Sequence, residues 1–406
     1  MPEKIILAYS GGLDTSVAVR WLAEERDFEV LTLTIDLGSQ PDLETIGQRA
    51  LRAGAAKAKV EDQRGIFVER YCWPALKAGA LYQGQYPLAT ALGRPLIARR
   101  LVEFARLEGA TWVAHGSTGK GNDQVRFDVA VAALAPELRV IAPLRDGMSM
   151  TREQEIAYLE ERGIPVQVKA ASPYSVDANL WGRSIEAGVL EDPAAEPPED
   201  AFLWTSGLDR VPAQPCYLEI NFEKGVPVGL GEKRMSPLDL VHHLNTVGGE
   251  YGVGRIDMVE DRFVGIKSRE VYEAPAATIL HVAHRALEEL VLEAEAARFK
   301  TLVAQEYARL VYQGKWFASH RQDLDAYVDS SQRFVTGTVR IKLDRGTARV
   351  AGRSSPFSLY RPRLATYSAG DEFDHQAATG FIKLVGLPLR TQAVVQGIDG
   401  KSTTPD

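Results

Sequence analysis

The sequence predicts an α/β fold, with a doubly wound parallel sheet over residues 1–168, an α+β domain over 169–360 and a C-terminal helical arm over 361–406. Three observations carry that prediction. Up to about residue 168, short apolar runs alternate with segments of helical periodicity, the pattern of buried strands joined by crossover helices. The first run, Ile5-Ile6-Leu7-Ala8-Tyr9, leads straight into a Gly-Gly turn and then a helical segment. From Glu191 to Asp200 the composition shifts to proline and acid, which marks a joint rather than the interior of an element.

Taken in order, the first strand is Lys4–Tyr9 and the first helix Thr15–Glu25, where Val17 pairs with Trp21 and Ala18 with Leu22 at helical spacing. Further strands are predicted at Val30–Ile35, Lys57–Val60, Thr111–Ala114 and Arg139–Ile141, with a last one at Val166–Val168. Helices fall between them at Asp42–Ala53, Pro95–Leu107, Asp123–Leu134 and Thr151–Arg162. Pro95 reads as a first-turn proline, and Thr151-Arg152-Glu153-Gln154 as a capping box. The aromatic and small residues of the irregular stretch Cys72–Arg94 (Trp73, Gly79, Tyr82, Gly84, Tyr86) predict an ordered substrate loop. Past the joint, strand-like runs at Cys216–Phe222 and Arg255–Val259 mix with helical ones at Leu238–Thr246 and Ala276–Leu310. Phe334–Lys342 and Thr347–Gly352 read as a hairpin around Arg345-Gly346, and the apolar segment Ala377–Leu387 as part of an arm that packs on another subunit.

Composition narrows the function. A chain of 406 residues is long enough for two or three domains with large cores. The net charge of −7 argues against general attraction to nucleic acid or to an acidic membrane, so a nucleotide site must supply its own local positive potential. Two cysteines, Cys72 and Cys216, make no disulfide framework and read as small buried hydrophobes. No apolar run reaches transmembrane length, and the first strand starts almost at once, leaving no room for a signal peptide. A cytoplasmic location is the expectation.

Ser10-Gly11-Gly12-Leu13-Asp14-Thr15-Ser16 occupies the first strand-to-helix turn. Adjacent glycines let backbone N–H groups converge, Ser10, Thr15 and Ser16 add hydroxyls, and the helix start adds partial positive charge. Strand, glycines, hydroxyls and helix together favour a phosphate-binding loop over a plain turn with Asp14 or Thr15 as N-cap. The loop has neither the Gly-Lys-Ser/Thr of a Walker A nor the spacing of a dinucleotide fingerprint. It resembles the SGGxDS-type loop of the N-type ATP pyrophosphatases, with Thr15 inserted before Ser16.

A second loop, His115-Gly116-Ser117-Thr118-Gly119-Lys120-Gly121-Asn122-Asp123, follows the fourth strand and leads into a helix that carries Arg126. In a doubly wound sheet it should lie beside the first. Its glycines and Lys120 suit anions, Asn122 both donates and accepts, Asp123 suits an ammonium and Arg126 a carboxylate. His115 reads as structural rather than as a base.

Together, AYSGGLDTS at 8–16, HGSTGKGNDQVRF at 115–127, PYSVDANLWGRS at 173–184, GVLEDP at 188–193 and GVGRIDMVEDRFVGIKSREVYE at 252–273 resemble the argininosuccinate synthase family along nearly the whole chain. The resemblance implies ligation of L-citrulline to L-aspartate, with ATP cleaved to AMP and pyrophosphate through a citrullyl-AMP intermediate and Mg²⁺ on the phosphates. It implies an ATP-binding domain, a synthetase and oligomerisation domain and a C-terminal arm in a homotetramer. ATP is expected on Ala8, Tyr9, Ser10, Gly11, Gly12, Leu13, Asp14, Thr15 and Ser16, with Ile35 near the adenine and Gly116 near the ribose and phosphates. Aspartate is expected on Thr118, Asn122 and Asp123. Citrulline is expected on Tyr86, Asn122, Arg126, Ser175, Ser184, Glu260 and Tyr272. Asp14, Asp123 and Arg126 are the candidate catalytic residues. Without the resemblance, Ser175 and Ser184 read as helix caps, Glu260 as a surface acid on a strand and Tyr272 as a core-edge aromatic. Ala91 stands where several members place a serine. Two rival readings are an ATP pyrophosphatase acting on nucleotides or transfer RNA and a non-catalytic nucleotide-binding protein.

Overall fold

The computed structural model describes residues 2–38, 42–164 and 173–397, which form two compact units, residues 1–357 and residues 358–406. The expected strand at Val166–Val168 lies outside the described residues.

In the first unit, β1 (Glu3–Ala8), β2 (Phe28–Asp36), β3 (Lys57–Asp62), β4 (Trp112–Ala114) and β5 (Arg139–Ile141) build an all-parallel sheet in the order β3-β2-β1-β4-β5. Ile5, Ile6 and Leu7 are all fully buried, because successive side chains enter opposite cores. On one face Ile5, Leu7 and Val30 meet Val17, Ala18 and Leu22 of α1 (Leu13–Glu24), and Ile46 and Ala50 of α2 (Leu43–Arg52). On the other face Ile6, Leu31 and Leu33 join a core that includes Leu96 and Leu101 of α3 (Ala89–Glu108). That core runs on to Leu280, Tyr307 and Val339, so the two halves of the chain share it. The chain leaves β1 towards β2 and β3, then returns to place β4 on the other side of β1. The crevice beyond the carboxyl ends of β1 and β4 is therefore the topological switch point, where doubly wound sheets bind ligands.

After β4 come α4 (Asn122–Leu134), β5 and α5 (Arg152–Glu160), whose Thr151–Gln154 capping box is formed. The hairpin β6 (Ser175–Asn179) and β7 (Gly182–Glu186) joins a four-stranded antiparallel sheet, β11-β12-β7-β6. A five-stranded antiparallel sheet, β10-β9-β8-β13-β14, contains β8 (Cys216–Glu223), β9 (Val226–Leu230) and β10 (Lys233–Arg234). Next come α6 (Pro237–Glu250), β11 (Arg255–Asp261), β12 (Lys267–Glu273), α7 (Pro275–Val291), α8 (Ala294–Tyr312) and α9 (Ser319–Gln332). The predicted terminal hairpin is β13 (Gly337–Asp344) with β14 (Thr347–Ser354). In the second unit α10 (His375–Val385) and α11 (Leu387–Gln396) have no buried residue. No described helix is long and apolar enough to cross a membrane.

Several expectations need correction. Pro95 is not a first-turn residue but lies inside α3, because the burial of Ala89, Ala91, Leu92 and Leu96 extends the helix upstream despite the proline. The expected single helix at Ala276–Leu310 is two, since Glu293 turns its carboxylate onto the N–H groups of Glu295 and Ala296 and starts a new helix. Cys72–Arg94 is ordered but largely helical, with a short helix at Trp73–Ala78 closed by left-handed Gly79 (φ 70°). The N-caps of α1 and α4 are Gly12 and Gly121, so the plain-turn alternative with Asp14 or Thr15 as the N-cap of α1 is not what forms. Ser175 and Ser184 lie on strands. Cys72 is buried and its thiol is pushed well up by burial, whereas Cys216 is half-buried.

Candidate active site

The first site is the mouth of β1. Gly11 adopts φ +79°, and a Cβ there would press Ile46 Cγ1 at 3.1 Å, so the turn needs glycine. Gly12 N–H donates to Ser10 Oγ at 3.3 Å, and the Thr15 and Ser16 hydroxyls donate back to the Gly12 carbonyl at 3.2 and 2.8 Å. Tyr9 braces Ser16 from behind through its hydroxyl at 2.8 Å. The loop opens into a cavity of about 540 Å³, within the range of small-molecule sites. Arg49, Arg52 and Arg152 line it and supply the positive potential that an acidic chain must provide locally; sequence reasoning missed all three. Gly116 lines the same cavity, and a Cβ on it would meet Thr15 Cγ2 at 3.0 Å, so the two loops do lie together. Ala8, Tyr9 and Ile35 lie outside the lining, at the ends of β1 and β2.

Glu155 of α5 is a second residue that sequence reasoning missed. It is buried near Asp14, and burial together with the Asp14 carboxylate pushes its pKa up to about 7. The folded state then binds more protons than the unfolded chain between about pH 4.5 and 7, so this group makes stability fall as pH rises through that window. Glu155→Gln should flatten that fall; denaturant midpoints at pH 5 and pH 7.5 check it.

The second cavity, of about 100 Å³, lies where α4 meets the β11-β12-β7-β6 sheet. It brings together Tyr86, Asn122, Asp123, Arg126, Ser184, Glu260 and Tyr272, all expected, and leaves out Ser175 and Thr118, which are exposed. Pairing of Tyr272 with Ser184 across β12 and β7 puts both on one sheet face, and Tyr86 stacks on Tyr272 at 4.2 Å. Glu260 is a buried acid, not a surface one. Its Oε2 accepts from Tyr272 at 2.9 Å and its Oε1 from Tyr312 at 2.6 Å. Burial raises its pKa, while the two hydroxyls pull the other way.

Asp123 is doubly held. Its Oδ1 accepts from Arg126 Nη1 at 2.8 Å and its Oδ2 from Arg94 Nη2 at 2.7 Å, and Arg94 also pairs with Asp177. Burial opposes ionisation, but the two guanidinium groups win and hold the carboxyl well below the usual range. Arg262 bridges Glu186 at 2.5 Å and Glu270 at 2.6 Å on the same face. Arg94 and Glu186 had no local signal; Asp177, Arg262 and Glu270 lie inside the motif stretches but were given no role, and only the fold brings the five together here. His115 is buried, bonded through Nε2 to Asp128 at 2.8 Å and stacked on Phe127, in keeping with a structural role. Ala91 is wholly buried on α3 and lines neither cavity.

The loop from His115 to Phe127 thus opens at the phosphate-type cavity through Gly116 and closes at the second through Asn122, Asp123 and Arg126. Comparisons with known proteins agree along the chain. The arginosuccinate synthase N-terminal HUP domain matches residues 4–165, and the arginosuccinate synthase C-terminal domain matches residues 174–392. The chain belongs to the argininosuccinate synthase family. Argininosuccinate synthase of Dehalococcoides mccartyi is 54% identical over 398 residues, covering 98% of each chain. That of Chlorobium phaeobacteroides is 54% identical over 399 residues, covering 98% of this chain and 99% of the relative. That of Pelodictyon phaeoclathratiforme is 54% identical over 393 residues, covering 97% and 98%. As an argininosuccinate synthase family member the chain is a ligase with ATP as its co-substrate.

For the phosphate loop, Gly12→Val should abolish measurable ATP binding while the fold survives. A side chain there would crowd Ser10 Oγ, 3.3 Å from the added Cβ, at the point where N–H groups must approach phosphate. Calorimetry on the folded variant tests this, and unchanged ATP affinity would refute the assignment.

Proposed function

We propose that the chain carries out its ligation of L-citrulline to L-aspartate by adenylating citrulline between these two cavities. The citrulline ureido oxygen attacks the α-phosphorus of ATP, and pyrophosphate leaves to give citrullyl-AMP. The aspartate amine then attacks the ureido carbon, loses its proton, and AMP departs. No covalent enzyme intermediate is needed; the protein contributes positioning and charge. The observation that carries the reading is the 115–127 loop with one end at each cavity, which supports placing α-phosphate and citrulline side by side.

The roles are those the family resemblance implies, and the side-chain chemistry suits them. Ser10 to Ser16 and Gly116 hold the triphosphate, with Ile35 towards the adenine. Arg126 takes the citrulline carboxylate, Glu260 its ammonium, and Tyr86, Ser175, Ser184 and Tyr272 the rest of that substrate. Thr118, Asn122 and Asp123 take aspartate. Among the described residues no group of three or more His, Cys, Asp or Glu is arranged to hold a metal. A magnesium ion carried on substrate phosphates needs only one or two carboxylates, and Asp14, which lines the cavity at the phosphate loop, fits that need. Bound there, Mg²⁺ would supply charge neutralisation on the phosphates.

The proposed division is an ATP-binding domain over 1–168, a synthetase and oligomerisation domain over 169–360 and an arm over 361–406. A homotetramer is supported by the apolar exposure of the arm, where Phe381, Leu384 and Val394 are 68, 71 and 79% exposed. A cytoplasmic location agrees with two free cysteines. The function is tested by pyrophosphate release from ATP with citrulline plus aspartate, compared with either alone. Release that does not need citrulline would refute it.

A further inference from the structure

We infer that Tyr312 is a positioning residue for citrulline, tying three substrate-binding side chains to one helix end. The inference rests on the assignment of Arg126 and Glu260 to citrulline given above. Tyr312 is the last residue of α8, 1% exposed, and separated in sequence by 190 residues from Asn122.

Its hydroxyl has one possible wiring. Phe263 N–H can only donate, and it points at Asn122 Oδ1 at 2.8 Å, so the Asn122 amide must turn its Nδ2 to Tyr312. That Nδ2 donates to the Tyr312 oxygen at 2.8 Å. The phenolic proton is therefore left for Glu260 Oε1, at 2.6 Å. The chain Phe263 N–H, Asn122, Tyr312, Glu260 runs in one direction and ends on a carboxylate, stabilising its charged form. A charged Glu260 is the form that an ammonium requires.

The same residue holds Arg126 twice. The last carbonyls of a helix have no partner within it, and the Tyr312 carbonyl accepts from Arg126 Nε at 3.0 Å. The Tyr312 ring lies 4.9 Å from the guanidinium carbon. The ring itself is pinned by Tyr82, stacked at 3.5 Å and 5°. Two residues on, Gly314 (φ +75°) lets the helix end press on α4; a Cβ there would fall 2.7 Å from Arg126 Cα. Tyr312 thus sets both ends of the proposed citrulline clamp.

Tyr312→Phe removes the hydroxyl and keeps the ring and the carbonyl. The expected result is a citrulline KM raised by about tenfold or more, the size of a lost hydrogen bond to a charged group, with the ATP KM within about twofold. The acid limb of the kcat/KM profile for citrulline should also move to higher pH, because Glu260 loses a donor that favours its charged form. A fluorotyrosine at position 312 keeps the shape while strengthening the donor, and should move that limb to lower pH even if the phenylalanine variant folds poorly. An unmoved citrulline KM and acid limb would overturn the inference, as would a parallel rise in all three KM values with a lower Tm. Glu260→Gln, measured alongside, separates the two levels. If it raises the citrulline KM and Tyr312→Phe does not, only the role of Tyr312 falls. If neither does, the citrulline assignment itself falls.

Discussion

Arg126→Lys raises the citrulline KM by roughly 30- to 900-fold, equivalent to about 2–4 kcal/mol of lost charge-assisted contact. Lysine keeps the charge and loses the fork. Arginine spends Nε on the Tyr312 carbonyl and Nη1 on Asp123, and still presents a flat guanidinium edge to a substrate carboxylate. A single ammonium cannot satisfy these directions together. The ATP KM should stay near its normal value, because Arg126 lines only the second cavity. Steady-state kinetics in each substrate check both statements, and a lysine variant with near-normal citrulline KM rules out the carboxylate role.

Asp123→Asn separates the two half-reactions. Citrulline-dependent exchange of labelled pyrophosphate into ATP should persist, whereas argininosuccinate formation should be lost, because a neutral amide is a poor acceptor for the aspartate ammonium. The structure adds a stability cost. Asp123 neutralises Arg94 and Arg126 in a buried site, and breaking a buried pair from one side costs about 3–5 kcal/mol, less here because the amide oxygen still accepts one bond. The native carboxyl is depressed, so its contribution to stability is present above the ordinary aspartate range and lost as pH falls through the folded value; the variant should lack that acid-side loss. Equal loss of both half-reactions in a folded variant means that Asp123 acts by holding Arg126. Retention of both removes aspartate binding from its roles.

Legibility differed between elements for physical reasons. The central strands β1 and β2 were readable because strands buried on both faces leave short, continuous apolar runs such as Ile5-Ile6-Leu7, whereas the edge strands β3 and β5 are only partly buried and were placed by the alternation with helices. The capping box at Thr151 and the hairpin turn at Arg345-Gly346 were readable because their signals span a few residues. Pro95 misled because propensity is local, whereas the burial that extends α3 past it is supplied by the sheet. The break after Val291 was missed because a side-chain cap at Glu293 leaves the apolar period nearly undisturbed. In the site, Glu260 and Tyr272 were found by motif resemblance rather than by residue physics. Local reading made them a surface acid and a core-edge aromatic, and antiparallel pairing turned them into one buried face.

What the sequence by itself determined is the sheet, the two loops at strand ends and the family. These depend on side-chain period, on glycines at a strand-to-helix turn and on ordered motifs, all of which are properties of neighbours along the chain. What only the tertiary structure decided is how the charges are partnered. Arg49, Arg52 and Arg152 gather at the phosphate loop, Glu155 shares its site with Asp14, Arg94 and Arg126 divide the oxygens of Asp123, and Tyr312 joins Asn122 to Glu260. The interaction between two charges or between a donor and an acceptor depends on their separation in space and on the water excluded around them. Neither quantity is carried by residue spacing along the chain.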